Sequence, residues 1–185
     1  MLNRDDALDL LKNELGEEPG LINHSLETEA VMRALAEKLG KDRDLWGITG
    51  LLHDIDYSRT KSTPQRHALD GADMLSGKLP EEALQAIKAH NSEYTGVMPQ
   101  TEFDIALRCG ETVTGLISAS ALVRPQKMEG MKPKSLKKKM KDKAFAASVS
   151  RERIRECEQI DLELGDFLAL SIAAIAGIAD EVGLA

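Results

Sequence analysis

Apolar residues along the chain recur every three to four positions, the spacing that brings them to one face of an α-helix. Near the start, this spacing predicts a short helix around residues 7–11 that stops near Gly16, and a longer one from about 23–25 to Gly40. A short polar link, KDRD, precedes a further apolar segment over 45–55. No segment shows the sustained alternation of a β-strand, so the pattern predicts an all-α protein.

Prolines mark two further predicted helix starts. Pro64 can open a helix through QRHALDGADML, and Pro80 stands at a favoured first-turn position before EEALQAIKAH. Downstream helices are expected over about 102–123, in RERIRECEQI and near 163–182. Since the chain has 185 residues and no internal repeat, we predict a single all-α domain over residues 1–185.

Composition favours an aliphatic core and a cytoplasmic location. Aromatic residues make up only 3% of the chain, and Cys109 and Cys157 form no cluster, which favours a reducing compartment. The N-terminal stretch MLNRDDALDLLKNEL lacks the basic start and apolar block of a signal peptide. The longest uncharged run, FLALSIAAIAGIA, is shorter than the ~20 residues that cross a bilayer, so we interpret it as a core helix rather than a membrane segment.

Charge is unevenly distributed. The net charge is −7, but the segment KPKSLKKKMKDK, residues 132–143, carries seven lysines and one aspartate, or +6, which leaves −13 for the rest. An acidic chain is poorly suited to binding a nucleic-acid duplex, which relies on basic surface facing the phosphates. The lysines are expected either to form a solvated helix face or to contact a small phosphorylated ligand.

The apolar segment GLLHDIDYS ends in His53, Asp54 and Asp56, which are costly to bury unless something pairs with them. About 16 residues separate His24 from the turn near Gly40, and about 13 lead from that turn to His53. At ~1.5 Å per residue, an antiparallel helix pair would return His53 to within roughly 5 Å of the height of His24. The two imidazoles could therefore share one ion.

Asp54 points about 100° further round the helix than His53, so the two neighbours could serve two different ions. Imidazole and carboxylate together suit a divalent transition metal such as Fe, Mn, Zn, Co or Ni, whereas Mg prefers oxygen ligands. The alternative for each residue taken singly is an ordinary hydrogen-bonded position in the core or at the surface.

Several segments together resemble one protein family. GLLHDIDYS, preceded by INHSLETEAVMRALA, resembles the HD-domain superfamily of metal-dependent phosphohydrolases, and more narrowly the bacterial HDIG-type proteins. The resemblance continues through RHALDGADML, AIKAHN, TGLISASALVRP and SLKKKMKDKAFAASVSRERI. It implies a helical bundle with a metal-site core at about 22–123, followed by the Lys-rich segment and C-terminal helices at 124–185.

The resemblance also implies a ligand set. A first His, the His-Asp pair and a distal acid correspond here to His24, His53, Asp54 and Glu111, although the family usually has Asp at the last position. Members with two metals add two histidines, which His67 and His90 match in order and kind, with Asp54 bridging the ions. Alternatively, these two histidines bind substrate phosphate.

Phosphoester hydrolysis of a nucleotide or other small phosphorylated substrate is the reaction that such a centre would support. Two alternatives are a regulatory module that binds a phosphorylated ligand with little turnover, and a di-iron oxygenase of the same superfamily. The further candidate residues are Asp54 and Asp56 for handling water, Lys61 for the transition state, and Arg124, Lys127 and Asn91 for substrate. For Asp56 and Asn91, capping a helix or turn is the alternative role.

Overall fold

A computed structural model describes residues 2–16 and 18–185, and this part of the chain contains α-helices, one 3₁₀ helix and no β-strand. The all-α prediction is therefore confirmed for these residues. The α-helices are α1 (Arg4–Leu15), α2 (Pro19–Leu39), α3 (Arg43–Leu52), α4 (Tyr57–Thr60), α5 (Leu69–Leu75), α6 (Glu81–His90), α7 (Ser92–Thr95), α8 (Glu102–Leu122), α9 (Pro133–Met140), α10 (Arg151–Arg155) and α11 (Leu164–Ala176); the 3₁₀ helix covers Glu156–Ile160.

The two longest helices, α2 and α8, organise the bundle. Helix α2 packs against α3, α8 and α11, and α8 also packs against α6 and the 3₁₀ helix. Their contact surfaces are aliphatic, since Leu35 of α2 and Leu107, Leu116 and Ile117 of α8 are fully buried. Helix α2 ends at Gly40, whose left-handed conformation reverses the chain so that α3 returns along α2. This turn places the end of α3 beside the start of α2.

Gly50 permits the close approach of α3 to α2. A Cβ at this position would lie 2.8 Å from Cγ of Met32 and 3.0 Å from the backbone oxygen of Thr28. The methionine side chain can rotate away, but the helix backbone cannot. We expect Gly50→Ala to lower the free energy of unfolding by about 1–3 kcal/mol, measured by urea denaturation.

Gly20→Ala is the matched control, because no heavy atom lies within 4 Å of the Cβ that it would add at the start of α2. Its free energy of unfolding should stay equal or rise by up to about 1 kcal/mol. Equal stability of Gly50→Ala and the unmodified protein would contradict the close approach.

Three predicted helix boundaries need correction. Helix α2 begins at Pro19, earlier than expected, because a proline in the first turn loses no intrahelical hydrogen bond. The helix expected from Pro64 begins only at Leu69, since Ala68 adopts a left-handed φ of 75° that interrupts the helical path. The last helix ends at Ala176, and turns replace its expected final residues.

The apolar run that we interpreted as core forms most of α11, which packs against α2, α8 and α9. Among the described helices, none combines the length and the apolar character needed to cross a membrane. Cys109 and Cys157 are both buried free thiols.

Candidate metal centre

Four separate segments bring the four histidines to one point. His24 lies on α2, His53 directly follows α3, His67 lies in the turn before α5, and His90 is the last residue of α6. The Nε2 atoms of His24 and His53 are 3.2 Å apart, and those of His67 and His90 are 3.3 Å apart. The predicted meeting of His24 and His53 is thus found, and the second pair joins them.

The carboxylate of Asp54 lies at the centre of this histidine cluster. Its Oδ1 is 3.3 Å from Nε2 of His53, 3.2 Å from Nε2 of His67 and 3.3 Å from Nε2 of His90. Its Oδ2 is 3.7 Å from Nε2 of His24. One carboxylate therefore contacts all four imidazoles through the same ring nitrogen.

Backbone carbonyls determine the tautomer of two of the rings. Nδ1 of His53 is 2.8 Å from the carbonyl oxygen of Gly50, and Nδ1 of His90 is 2.6 Å from that of Ile87. A carbonyl only accepts, so each Nδ1 must carry a hydrogen and donate it. When these rings are neutral, the inward Nε2 atoms have free lone pairs.

The hydroxyl of Thr114 determines the tautomer of His24. The Thr114 hydroxyl donates to the carbonyl oxygen of Glu111 at 2.7 Å, so its hydrogen is already used. Nδ1 of His24, 2.9 Å from the same oxygen, must then be the donor. The Nε2 lone pair of His24 also points inward.

Asp56 orients the remaining ring, that of His67. Its Oδ1 accepts from Nδ1 of His67 at 2.9 Å, and its Oδ2 accepts from the backbone N–H groups of Ala68 at 2.8 Å and Gly71 at 2.9 Å. The carboxylate is fully buried and caps the start of α5. Capping, one of the roles considered for Asp56, thus fits these contacts, orientation of His67 is a further role, and the handling of water by Asp56 stays a prediction.

Glu111 stands at the edge of the cluster. Ligand atoms of Glu111, His24 and His53 all lie within 4.8 Å of one another, as do those of a second group made by His53, Asp54 and His90. Two overlapping groups of potential metal ligands thus occur in the described part of the chain.

The carboxylate of Glu111 also pairs with Arg153. Nη2 of this arginine lies 2.8 Å from its Oε1 and also donates to the carbonyl oxygen of His90. Sequence reasoning missed Arg153, because nothing in RERIRE distinguishes it from Arg151 and Arg155.

The electrostatics of the cluster favour a bound cation. Burial raises the pKa of Asp54, but the imidazoles of His53, His67 and His90, in their protonated forms, outweigh this effect and hold the pKa of Asp54 well below its usual value. Burial lowers the pKa of His53. Burial also opposes protonation of His67, yet hydrogen bonds to Asp54 and Asp56 raise its pKa to about 10. Converging lone pairs and a carboxylate thus require a proton or a metal ion between them.

The family comparison agrees with this geometry. The profile of the HD domain matches residues 21–144, which are 124 of the 185 residues. The chain belongs to the HD domain family. Its candidate centre is a cluster of His and Asp side chains that could hold a divalent metal, as HD domains do.

Individual relatives match parts of this HD domain. Ribonuclease Y of Rhodopirellula baltica is 34% identical over 82 residues, which cover 44% of this chain and 16% of the relative. Ribonuclease Y of Nitratidesulfovibrio vulgaris is 31% identical over 97 residues, which cover 51% of this chain and 18% of the relative. The chain thus matches less than a fifth of the length of these relatives.

Solved structures share the fold. The HD domain of the L. monocytogenes phosphodiesterase PgpH, crystallised with cyclic-di-AMP, superimposes with a TM-score of 0.55 at 18% identity, covering 92% of this chain and 96% of that one. A second crystal structure of the PgpH domain gives a TM-score of 0.52 at 19% identity. This likeness shows that the helices form a bundle of the HD type.

Two predicted substrate-binding residues contact backbone carbonyls. The guanidinium of Arg124 donates to the backbone oxygens of Lys127 and Glu129, both at 2.7 Å. The ammonium of Lys127 donates to the backbone oxygen of Gly183 at 3.0 Å. Each side chain thus uses some of its N–H donors on the protein's own carbonyls, and binding of phosphate by Arg124 and Lys127 stays a prediction.

Asn91 and Lys61 are two further candidate residues whose contacts the structure describes. The side-chain amide of Asn91 donates to the backbone oxygens of Pro64 at 2.9 Å and His67 at 3.1 Å, so it holds the turn that carries His67. Asn91 also occupies the cap position at the end of α6 and at the start of α7, although its side chain makes no cap hydrogen bond there, and substrate binding by this residue stays a prediction. The side chain of Lys61 is 58% exposed and its ammonium lies 3.8 Å from Oε1 of Glu18, so its role in the transition state stays a prediction.

Helix α9 lies within the Lys-rich segment. Leu136 is buried, while Lys134, Lys137 and Lys138 are exposed. This arrangement fits the solvated helix face that we considered for the segment.

Proposed function

We propose that this HD domain is a metal-dependent phosphohydrolase that acts on a nucleotide or another small phosphoester. The observation that carries the proposal is the set of four imidazoles whose Nε2 atoms all face the carboxylate of Asp54. The PgpH domain, a phosphodiesterase domain crystallised with cyclic-di-AMP, supports a phosphoester substrate for this fold. Because both cysteines are free thiols, we place the activity in the cytoplasm.

The chain offers ligands for two ions that share Asp54. We assign His24, His53, Asp54 and Glu111 to one ion, and His67 and His90 together with Asp54 to the other. Four imidazoles with two carboxylates suit Mn, Fe, Zn, Co or Ni better than Mg. When bound, such ions supply a water of lowered pKa and neutralise charge on the phosphoryl oxygens.

The protein contributes orientation and exclusion of water. Each ring is held through Nδ1, which leaves Nε2 directed inward and prevents the ring from turning away. The side chains of His53 and His90 are 1% and 5% exposed, so the centre is largely shielded on that side. A shielded, pre-oriented site strengthens the electrostatic interactions that stabilise a phosphoryl transition state.

Metal analysis followed by an activity panel tests the proposal. The protein would be purified without chelator, analysed for metals, and assayed on phosphomonoesters, phosphodiesters and nucleotides with Mn, Fe, Zn, Co, Ni and Mg. We expect a co-purifying transition metal and metal-dependent hydrolysis. Tight nucleotide binding without turnover would instead favour a regulatory module, and oxygen consumption that depends on reduced iron would favour an oxygenase.

Metal binding should also stabilise the fold. A ligand present at 100 times its Kd adds about 2.7 kcal/mol to the free energy of unfolding. For a chain of this size we expect Mn²⁺ to raise the Tm of the metal-free protein by about 5–10 °C in a thermal shift assay. The shift should disappear in Asp54→Asn, and an equal shift in that variant would place the ion elsewhere.

A further inference from the structure

A cavity of about 250 Å³ lies directly beside the candidate metal centre. It is enclosed by α2, α8 and the C-terminal tail that follows α11. The residues that matter for its chemistry are Gly20, His24, Glu27, Ser118, Leu122 and Gly183. Since His24 belongs to both the cavity and the metal centre, the two spaces adjoin.

The metal centre opens to solvent on the side of this cavity. The side chain of His24 is 26% exposed, compared with 1% for His53, 11% for His67 and 5% for His90. A phosphoester held at the centre therefore has room to extend past His24.

A buried carboxyl lines the cavity. Glu27 is only 5% exposed, and its Oε2 accepts from the hydroxyl of Ser118 at 2.6 Å. No side chain or backbone group in residues 2–16 and 18–185 donates to its Oε1. Burial raises the pKa of Glu27, as expected for a carboxyl with few partners. A carboxyl has about four lone-pair positions, so this group can accept hydrogen bonds from a molecule in the cavity.

The mouth of the cavity is apolar and its wall is held in place. Leu122 lines the cavity and is 69% exposed, so it presents an apolar side chain at the solvent side. The tail that forms one wall is tied down by Asn23, whose side chain donates to the backbone oxygen of Val182 at 3.1 Å. The ammonium of Lys127 holds the next residue, Gly183. The cavity is therefore preformed.

We propose that this cavity binds the organic part of the phosphoester, and that it accepts a nucleoside. A nucleoside has rings with an apolar face for Leu122 and hydrogen-bond donors for Glu27. The inference rests on the proposed function, because it takes the phosphoryl group to be held at the metal centre. The volume is slightly below the roughly 300–1,000 Å³ of sites that enclose a whole ligand, as expected for a subsite.

Selectivity follows from the buried carboxyl. A bound group without donors would cover Glu27 and leave its free oxygen without a partner, at a cost of about 1–3 kcal/mol. Sites of this kind reject analogues that lack the required polar group. The donor is either a sugar hydroxyl or an N–H group of the base.

The test compares nucleotides with a substrate that has no donors. We would measure kcat/KM of the metal-loaded chain for GMP and for p-nitrophenyl phosphate. In Glu27→Gln, an amide replaces one acceptor oxygen, and we expect the ratio of the two values to fall about tenfold, mainly through KM for GMP. Leu122→Ala should lower the ratio by less, since it removes only apolar contact.

Two exposed positions provide matched controls. Val123→Ala shortens the apolar residue next to Leu122, but Val123 does not line the cavity, and Glu37→Gln makes the same chemical change near the other end of α2. In both variants, the ratio of kcat/KM for GMP to kcat/KM for p-nitrophenyl phosphate should equal that of the unmodified protein. If Glu27→Gln does not fold, Ser118→Ala and Leu122→Ala carry the test.

Further substrates distinguish the two sources of the donor. A lower kcat/KM for dGMP than for GMP would assign the contact to the 2′-hydroxyl, and a lower value for IMP would assign it to the 2-amino group of guanine. An unchanged ratio in the cavity variants would overturn the inference. If the protein binds metal but hydrolyses nothing, the proposed function fails, and calorimetry of GMP binding to the same variants still decides whether the cavity binds a nucleoside.

Discussion

Replacing Asp54 by Asn is expected to lower metal-dependent hydrolysis about 10³-fold, because metal assistance worth about 4 kcal/mol in the transition state would be lost. The carboxylate of Asp54 contacts Nε2 of all four histidines. Asparagine has the same shape but no charge, and its amide nitrogen cannot ligate. Metal content and kcat/KM on the best substrate of the panel would measure the effect.

Asp73→Asn is the control for this change, since Asp73 is exposed on α5 and contacts none of the histidines. It should retain both metal and activity. Full activity of Asp54→Asn would show that the centre is assigned to the wrong residues, whereas loss of metal with retained folding would support the assignment.

Replacing Asp56 by Asn is expected to weaken metal binding about 10- to 100-fold, although Asp56 need not touch the ion. Its two oxygens accept three hydrogen bonds, from His67, Ala68 and Gly71. In asparagine, an amide nitrogen replaces one of these oxygens and would face one of the three N–H donors. That buried donor would then lose its hydrogen-bond acceptor. We therefore also expect the free energy of unfolding to fall by about 1–3 kcal/mol.

Calorimetric titration with Mn²⁺ and urea denaturation measure these two effects separately. Asp70→Asn makes the same substitution on α5, where the carboxylate pairs with the exposed Arg66, so both measurements should change little. Unchanged Mn²⁺ affinity in Asp56→Asn would mean that His67 is oriented without Asp56 or does not bind the ion.

Most of the secondary structure could be predicted because helical periodicity is a local property. Predicted helix boundaries were wrong where the backbone conformation of a single residue sets the start of a helix. The helix expected from Pro64 begins at Leu69, because Ala68 turns left-handed and donates its N–H to Asp56. Such strain is tolerated where surrounding contacts over-determine it, here beside His67.

The contacts of the cations chosen for substrate binding could not be predicted, for a different reason. Arg124 and Lys127 are charged and follow α8, so they resemble ligand-binding residues in sequence. In the fold some of their donors bind backbone oxygens of the following loop and of the tail. Sequence shows that a donor exists, but only the fold shows which carbonyls it reaches.

By itself, the sequence determined the all-α class and the residue types that can hold a cation, since both depend on local periodicity and side-chain chemistry. Only the tertiary structure decided which ring nitrogen of each histidine faces inward, what Asp56 does, and that Arg153 and Glu27 lie beside the centre. These features depend on contacts between residues far apart in the chain, such as His24 with Thr114 and Glu27 with Ser118. Packing of whole helices sets such contacts, and no short stretch of sequence encodes them.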